Sequence, residues 1–350
     1  MITRKETKKV FVKDVQIGGQ NKVVIQSMTN TKTKDITATI KQIKNLELLG
    51  CEIVRVAILD FEDAEALKEI SKKVNIPIVA DIHYNYKLAL ASILNGADKI
   101  RINPGNIGNK KQLKEIVLLA KEKNIPIRIG INSGSLEKSL LIKYGQNNPK
   151  ALVISAKRII KYFETLGFFN IVVSLKSSDV LTTIEAYLLA SKTIKYPLHI
   201  GVTEAGGVFT SSIRSSAGLA PLLYKGIGDT IRISVSAEPE KEIRICKELL
   251  RNFNLIDFYP KLISCPTCGR IQWNALPIYE KIEEYLQNVN KNIVVALMGC
   301  SVNGLIEGKH ADIGFAGTSQ GGILFKKGIE IKKVPEDLIL TSIIEEIEKF

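Results

Sequence analysis

The sequence predicts a (β/α)8 TIM barrel followed by a small α+β domain, and three observations carry that expectation. Eight short apolar, β-rich runs alternate with helical stretches between residues 23 and 236. The alternation ends near residue 250, and three of the five cysteines lie beyond it. A chain of 350 residues also exceeds one typical core while suiting a large barrel with an appendage.

The runs are, in order, 23–28, 53–57, 78–82, 99–103, 127–131, 171–175, 198–202 and 230–235. Between them, helical periodicity predicts segments such as 35–49, 64–74 and 110–123. Strand-then-helix repetition on this scale builds a parallel sheet that closes on itself. A doubly wound open sheet is the alternative. Its phosphate-binding turn follows the first strand, whereas Ile17-Gly18-Gly19-Gln20 precedes it here. The expected boundaries are 1–250 for the barrel and 251–350 for the second domain.

In that second domain, 257–269 contains proline and ends in the knuckle Cys265-Pro-Thr-Cys268-Gly269. A helix is predicted over 277–288, a strand over 293–298 and a glycine-containing turn over 299–308. Two further strands are expected near 313–316 and 323–331, then a closing helix over 335–350.

Composition narrows the function classes. The hydrophobic share of 45% and charged share of 24% are those of an ordinary globular protein. No apolar run approaches the ~18 residues of a membrane span, and residues 1–14 are charged and lack a secretory h-region. A cytoplasmic protein is expected. The net charge is +13, but lysines such as Lys41, Lys44, Lys72 and Lys121 are spread over helices. With aromatics at 6%, there is no interleaved basic patch of the kind nucleic acid needs. The field favours an anionic small molecule. An odd number of cysteines is no disulfide scaffold, and Cys51 and Cys246 fall in apolar patterns that suit inert core thiols.

The inward faces at the strand ends carry the chemistry. Side chains two apart share a face. The second to fifth runs thus supply Arg55, then Asp81 and His83, then Arg101 and Asn103, then Arg128 and Asn132. The sixth supplies Ser174 and Lys176, and the eighth Arg232, Ser234 and Ser236. Glu204 falls just past the seventh. Only ten of the 49 basic residues are arginine, yet four stand inside apolar runs. A buried guanidinium needs an anion, and its fork suits phosphate or carboxylate. Each could pair with a structural carboxylate; four together, beside Lys176, favour a phosphate-rich ligand. Backbone N–H groups of the turn at 103–108 could assist. His83 and Glu204 are the acid–base candidates. His199 reads as a core histidine, and His310 has no assigned role.

The cysteine knuckle admits three readings. Paired thiolates at i and i+3 belong to zinc ribbons. A ribbon needs a second pair, and the sequence offers only Cys300, with His310 ten residues on. A thioredoxin-type dithiol leaves Cys300 unexplained. Cys265, Cys268 and Cys300 with one non-cysteine ligand suit a 4Fe-4S cluster with one exchangeable iron, and Glu307 is the candidate fourth ligand. Two unrelated functions stand beside the enzyme reading, a zinc-knuckle RNA-binding protein and a cluster-free pterin-type barrel transferase.

These motifs together resemble the 4-hydroxy-3-methylbut-2-enyl diphosphate synthase family of the methylerythritol phosphate route. The resemblance spans nearly the whole chain. It rests on Ile25-Gln-Ser-Met-Thr-Asn30, Ala80-Asp-Ile-His83, Lys99-Ile-Arg-Ile-Asn-Pro-Gly-Asn106 and Arg128-Ile-Gly-Ile-Asn-Ser-Gly-Ser135. It continues through His199-Ile-Gly-Val-Thr-Glu-Ala-Gly206, Ile263-Ser-Cys-Pro-Thr-Cys-Gly269 and Met298-Gly-Cys-Ser-Val-Asn-Gly304. It implies two-electron reductive ring opening and dehydration of 2-C-methyl-D-erythritol 2,4-cyclodiphosphate. By the same inference Cys265, Cys268, Cys300 and Glu307 ligate a 4Fe-4S cluster. Arg55, Arg101, Arg128 and Lys176 hold the cyclic diphosphate with Asn132, and Glu204 donates a proton. The resemblance further implies a homodimer in which one subunit's cluster domain caps the other's barrel, and electrons from a ferredoxin or flavodoxin.

Overall fold

The computed structural model describes residues 2–350 except 258, 266, 301–303, 305 and 307, and only the backbone of residue 135. The chain divides into two compact units, residues 1–255 and 256–350.

The first unit opens with a hairpin that the sequence reading did not foresee, β1 (Val10–Val12) and β2 (Val15–Ile17). The barrel strands follow: β3 (Val24–Met28), β4 (Ile53–Ile58), β5 (Ile78–Ile82), β6 (Lys99–Ile102), β7 (Ile127–Asn132), β8 (Ile171–Lys176), β9 (His199–Ile200) and β10 (Thr230–Ile231). All are parallel, in the order β8-β7-β6-β5-β4-β3-β10-β9, and a bridge from Val173 to Leu198 closes the ring. The last two strands are shorter than expected. The ladder continues only to Arg232, whose N–H bonds Ile200 O, before the side chain turns to a helix and the backbone leaves.

Helices cover the outside, started by their own caps. Asp35 accepts from Ala38 N to begin Ile36–Leu48, and Asn109 forms a capping box at Lys110–Glu122.

The pairing registers stack the inward side chains in layers of four from alternate strands. Lowest are Ile53, Lys99, Val172 and Thr230; next are Gln26, Val79, Arg128 and His199; above them lie Arg55, Arg101, Ser174 and Arg232. Val10, Val12 and Ile17 of the hairpin pack with Val24, Ile53, Val79 and Val172, so the hairpin floors the barrel. Apolar residues therefore dominate the bottom, where Lys99 is the one charged side chain of the layer, while the other charges occupy the middle and the mouth.

The second unit is a five-stranded sheet: β11 (Lys261–Ser264), β12 (Val294–Met298), β13 (Ile313–Thr318), β14 (Gly321–Lys326) and β15 (Ile329–Val334), in sequential order. The first three run parallel and the last two antiparallel. Helices Leu276–Leu286 and Ile339–Glu348 pack around Trp273 and Phe315. Two expectations are corrected. The single strand expected over 323–331 is two strands, because Lys327 and Gly328 both take positive φ (47° and 80°) and turn the chain back. And β11, hidden by its polar ends, was not foreseen.

Candidate active site

Asp81 organises the mouth. Its Oδ1 accepts from Arg101 Nη1 at 3.1 Å, and Oδ2 lies 3.7 Å from Arg55 Nε and 3.8 Å from His83 Nε2. Arg101 Nη1 also lies 2.8 Å from His83 Nε2. Burial acts to raise the Asp81 pKa, but Arg55, His83 and the other arginines overrule it and hold the carboxyl well below its ordinary range. Arg55 itself falls to about 10, through burial first, against the opposing pull of Asp81.

Arg232 is otherwise engaged. It binds Glu242 of the helix Pro239–Arg251 at two points, 2.7 and 3.0 Å, and Glu242 also accepts from Ser27 Oγ at 2.8 Å. This is the structural pairing that the arginine argument kept open, here made at two points, whereas Arg55 and Arg101 share the single carboxylate of Asp81.

Arg128 has no such partner. It is 1% exposed, and among the described residues its Nε and Nη1 find no hydrogen-bond partner. Arg101 Nε and Lys99 Nζ are likewise unpartnered. Among the described residues lining the barrel, the cations Arg55, Lys99, Arg101, Arg128, Lys176 and Arg232 face two carboxylates, Asp81 and Glu242. Six against two is an arrangement that an anionic ligand completes.

Two glycines make room for it. A Cβ at Gly130 would lie 2.6 Å from Arg101 Nε, and one at Gly201 would lie 2.6 Å from Lys176 Nζ. The missing side chains let each cation lie over the neighbouring strand.

Glu204 is exposed, with φ of 53° in the loop after β9. That loop is tied at both sides: Thr203 N donates to Ser177 O, and Ser236 N donates to Gly206 O. The carboxylate is thus kept at the rim. Asn103 Oδ1 accepts from Gly105 N, shaping the turn beside His83. Asn132 ends β7 opposite Lys176, and Ser234 O accepts from Ser211 Oγ.

In the second unit, β11 and β12 end side by side, and each is followed by a cysteine. Cys265 N donates to Leu297 O, and Gly299 N donates to Cys265 Sγ at 3.0 Å. Tyr279 Oη lies 3.9 Å from Cys265 Sγ; burial first, then Cys265 and Cys300, raises its pKa. Both thiols therefore share one neighbourhood. A Cβ at Gly299 would stand 3.3 Å from Cys265 Sγ, so glycine keeps space open at that sulfur. Cys268 is exposed, and the Arg270 N–H and side chain lower its pKa toward the thiolate. Soft thiolates receiving N–H bonds fit an iron–sulfur group. Among the described residues no three His, Cys, Asp or Glu side chains are gathered to hold a metal, and Glu307 lies outside the described residues.

Sequence reasoning missed Lys99, Gln26 and Glu242. The alternation rule that selected Arg101 also selects Lys99, two residues earlier. His199 is buried with Nδ1 2.6 Å from Thr230 Oγ1, but its Nε2 is unpartnered, so it is only half satisfied. Cys51 and Cys246 are buried thiols with pKa values raised by burial. No helix among the described residues is long and apolar enough to cross a membrane.

Residues 7–247 match the family described as GcpE TIM-barrel domain, and residues 261–349 match the GcpE protein C-terminal domain. A Clostridium perfringens protein named 4-hydroxy-3-methylbut-2-en-1-yl diphosphate synthase (flavodoxin) is 52% identical, over 99% of both chains. An Exiguobacterium protein of the same name is 51% identical over 99% of this chain and 93% of its own. The barrel also resembles the solved 7,8-dihydropteroate synthase of Vibrio fischeri (TM-score 0.51, 12% identity, 71% of this chain and 98% of that one). A type I 3-dehydroquinate dehydratase from Clostridium difficile scores 0.53 at 15% identity, covering 72% of this chain and 100% of that one. At such identities the likeness is one of fold alone, so the pterin-type transferase reading gains no support.

Proposed function

The chain belongs to the GcpE family of 4-hydroxy-3-methylbut-2-en-1-yl diphosphate synthases, and from that premise we propose how its residues carry the reaction. The substrate is 2-C-methyl-D-erythritol 2,4-cyclodiphosphate. Two electrons and one proton enter, the ring opens, one water leaves, and the allylic diphosphate forms. The observation that carries the reading is the six-to-two excess of cations lining the barrel, five of them buried, with Arg128 lacking a partner for Nε and Nη1 among the described residues.

Arg55, Arg101, Arg128 and Lys176 hold the cyclic diphosphate, their buried setting strengthening each contact. Asp81 keeps Arg55 and Arg101 aimed, and His83 extends that network to the rim. Asn103, Asn132 and Ser234 orient the polyol from the strand ends. Arg232, held on Glu242, adds charge rather than a direct clamp. Glu204 delivers the proton to the departing oxygen, from a loop pinned at the mouth. Cys265, Cys268, Cys300 and Glu307 would hold a 4Fe-4S cluster, which when bound supplies electrons one at a time to the substrate. Flavodoxin, which forms part of the relatives' names, is the proposed donor, with ferredoxin the alternative. A cytoplasmic homodimer, with residues 1–250 as the substrate domain and 251–350 as the cluster domain, completes the proposal.

The test is turnover of the cyclodiphosphate by anaerobically reconstituted protein with a low-potential reductant. Conversion to the allylic diphosphate by a brown, iron-loaded protein is expected. A colourless protein holding one zinc and giving no turnover overturns it.

A further inference from the structure

One of the six barrel cations, Lys99, lies below the four assigned to the diphosphate and has no role yet. Lys99 is fully buried on β6, and among the described residues its Nζ has no hydrogen-bond partner. The registers place it one layer below Arg128 and two below Arg55 and Arg101, beside Ile53, Val172 and Thr230. Just above it, Gln26 leaves both amide atoms unpartnered and His199 leaves Nε2 unpartnered. An aliphatic residue would fill this floor at lower cost than an amine.

The charged groups that act on Lys99 are Arg128 from β7 and Arg55 from β4, and His199 from β9 in turn feels Lys99; Asp81 lies above, against Arg55 and Arg101, and Arg232 is held on its Glu242. The hairpin below packs Val10, Val12, Val15 and Ile17 into the apolar cluster of this floor. Burial first, then Arg128 and Arg55, pushes the amine toward its neutral form. A neutral amine can accept from a guanidinium as well as donate; an ammonium can only donate.

Resting on the reading that the mouth takes a cyclic diphosphate, we infer that Lys99 is a positioning residue for that substrate. When the diphosphate seats over Arg128, Lys99 takes one proton from solvent and matches the ligand's charge from beneath; on release it returns the proton. The sign follows from linkage. An anion raises the amine's pKa toward its ordinary value, so uptake occurs between the free and bound values and vanishes below the free value, where the amine is already charged.

The experiment is calorimetric titration of the cyclodiphosphate into the anaerobic, reconstituted full chain. It is run in two buffers of unlike protonation enthalpy, from neutral to mildly alkaline pH. Wild type is expected to take up close to one proton per site. Lys99→Met should lose that uptake and bind about tenfold more weakly, one pKa unit of interaction, with kcat at saturation little changed. Lys99→Arg, always charged, should regain affinity without uptake, which a purely structural role would not produce. If Lys99→Met fails to fold, Lys99→Gln and the wild-type buffer pair decide. Equal heats in both buffers, or wild-type uptake in either neutral variant, overturns the inference while leaving the binding site intact. Absence of any cyclodiphosphate binding by wild type overturns the functional reading and this inference with it.

Discussion

Arg232 and Glu242 form a two-point ion pair, Nη2 to Oε1 at 2.7 Å and Nε to Oε2 at 3.0 Å, with the Glu242 side chain 3% exposed. One layer below, Arg128 is buried without any such partner for Nε and Nη1. Two arginines on neighbouring inward layers thus have opposite roles, and the first two predictions separate them.

Glu242→Gln strands Arg232 as a buried charge and removes the stronger acceptor of Ser27 Oγ. A loss of about 3–5 kcal/mol is expected. Urea denaturation of the ligand-free chain checks it, and a loss below 1 kcal/mol would show the pair to be dispensable.

Arg128→Met should do the reverse. Removing a desolvated, unpartnered charge is expected to stabilise the ligand-free chain by about 1–4 kcal/mol while abolishing cyclodiphosphate binding. Melting temperature and calorimetry together read both effects, and a destabilised variant counts against the assignment.

Glu204→Gln keeps the side chain's size and its place in the pinned loop but removes the transferable proton. Turnover should fall by about a hundredfold or more, with substrate KM changed only a few-fold. Near-normal kcat in steady-state assays would move the proton-donor role elsewhere.

Cys265→Ser removes the sulfur that receives the Gly299 N–H bond. The expected result is loss of the visible charge-transfer absorption and of bound iron, with the barrel's fold intact by circular dichroism. Retained iron at the wild-type level would remove Cys265 from the ligand set.

Glu346 in the second unit accepts from Lys326 at 2.6 Å and Lys349 at 2.8 Å, and these two lower its pKa from 4.5 to about 2. A carboxyl depressed in the folded state adds stability that is full above its ordinary value and is lost as pH falls through the folded one. Acid unfolding should therefore show a component between about 4.5 and about 2, absent in Glu346→Gln. Identical acid profiles for the two proteins would discard it.

Local rules made much of this protein legible in its sequence. Periodicity located the eight barrel strands, because a buried parallel strand is a continuous apolar run whatever surrounds it. The two-residue alternation chose Arg55, Asp81, Arg101 and Arg128, and the rarity of arginine beside abundant lysine made the three arginines candidates for binding an anion. Cys265 and Cys300 were selected by residue type, without knowledge that β11 and β12 would end as neighbours.

Tertiary structure decided which of these groups are free. Whether Arg232 meets Glu242, whether Arg128 meets anything, and whether Lys99 sits on an apolar floor all depend on strand stagger and on a hairpin from the chain's start. Burial and charge pairing are set by residues far apart in sequence, such as Ser27 and Glu242, so no local pattern announces them. The sequence by itself determined the barrel, the cation-rich face and the thiol set. Only the closed ring, which brings alternate strands into shared layers, determined which cations are paired with a carboxylate and which are not.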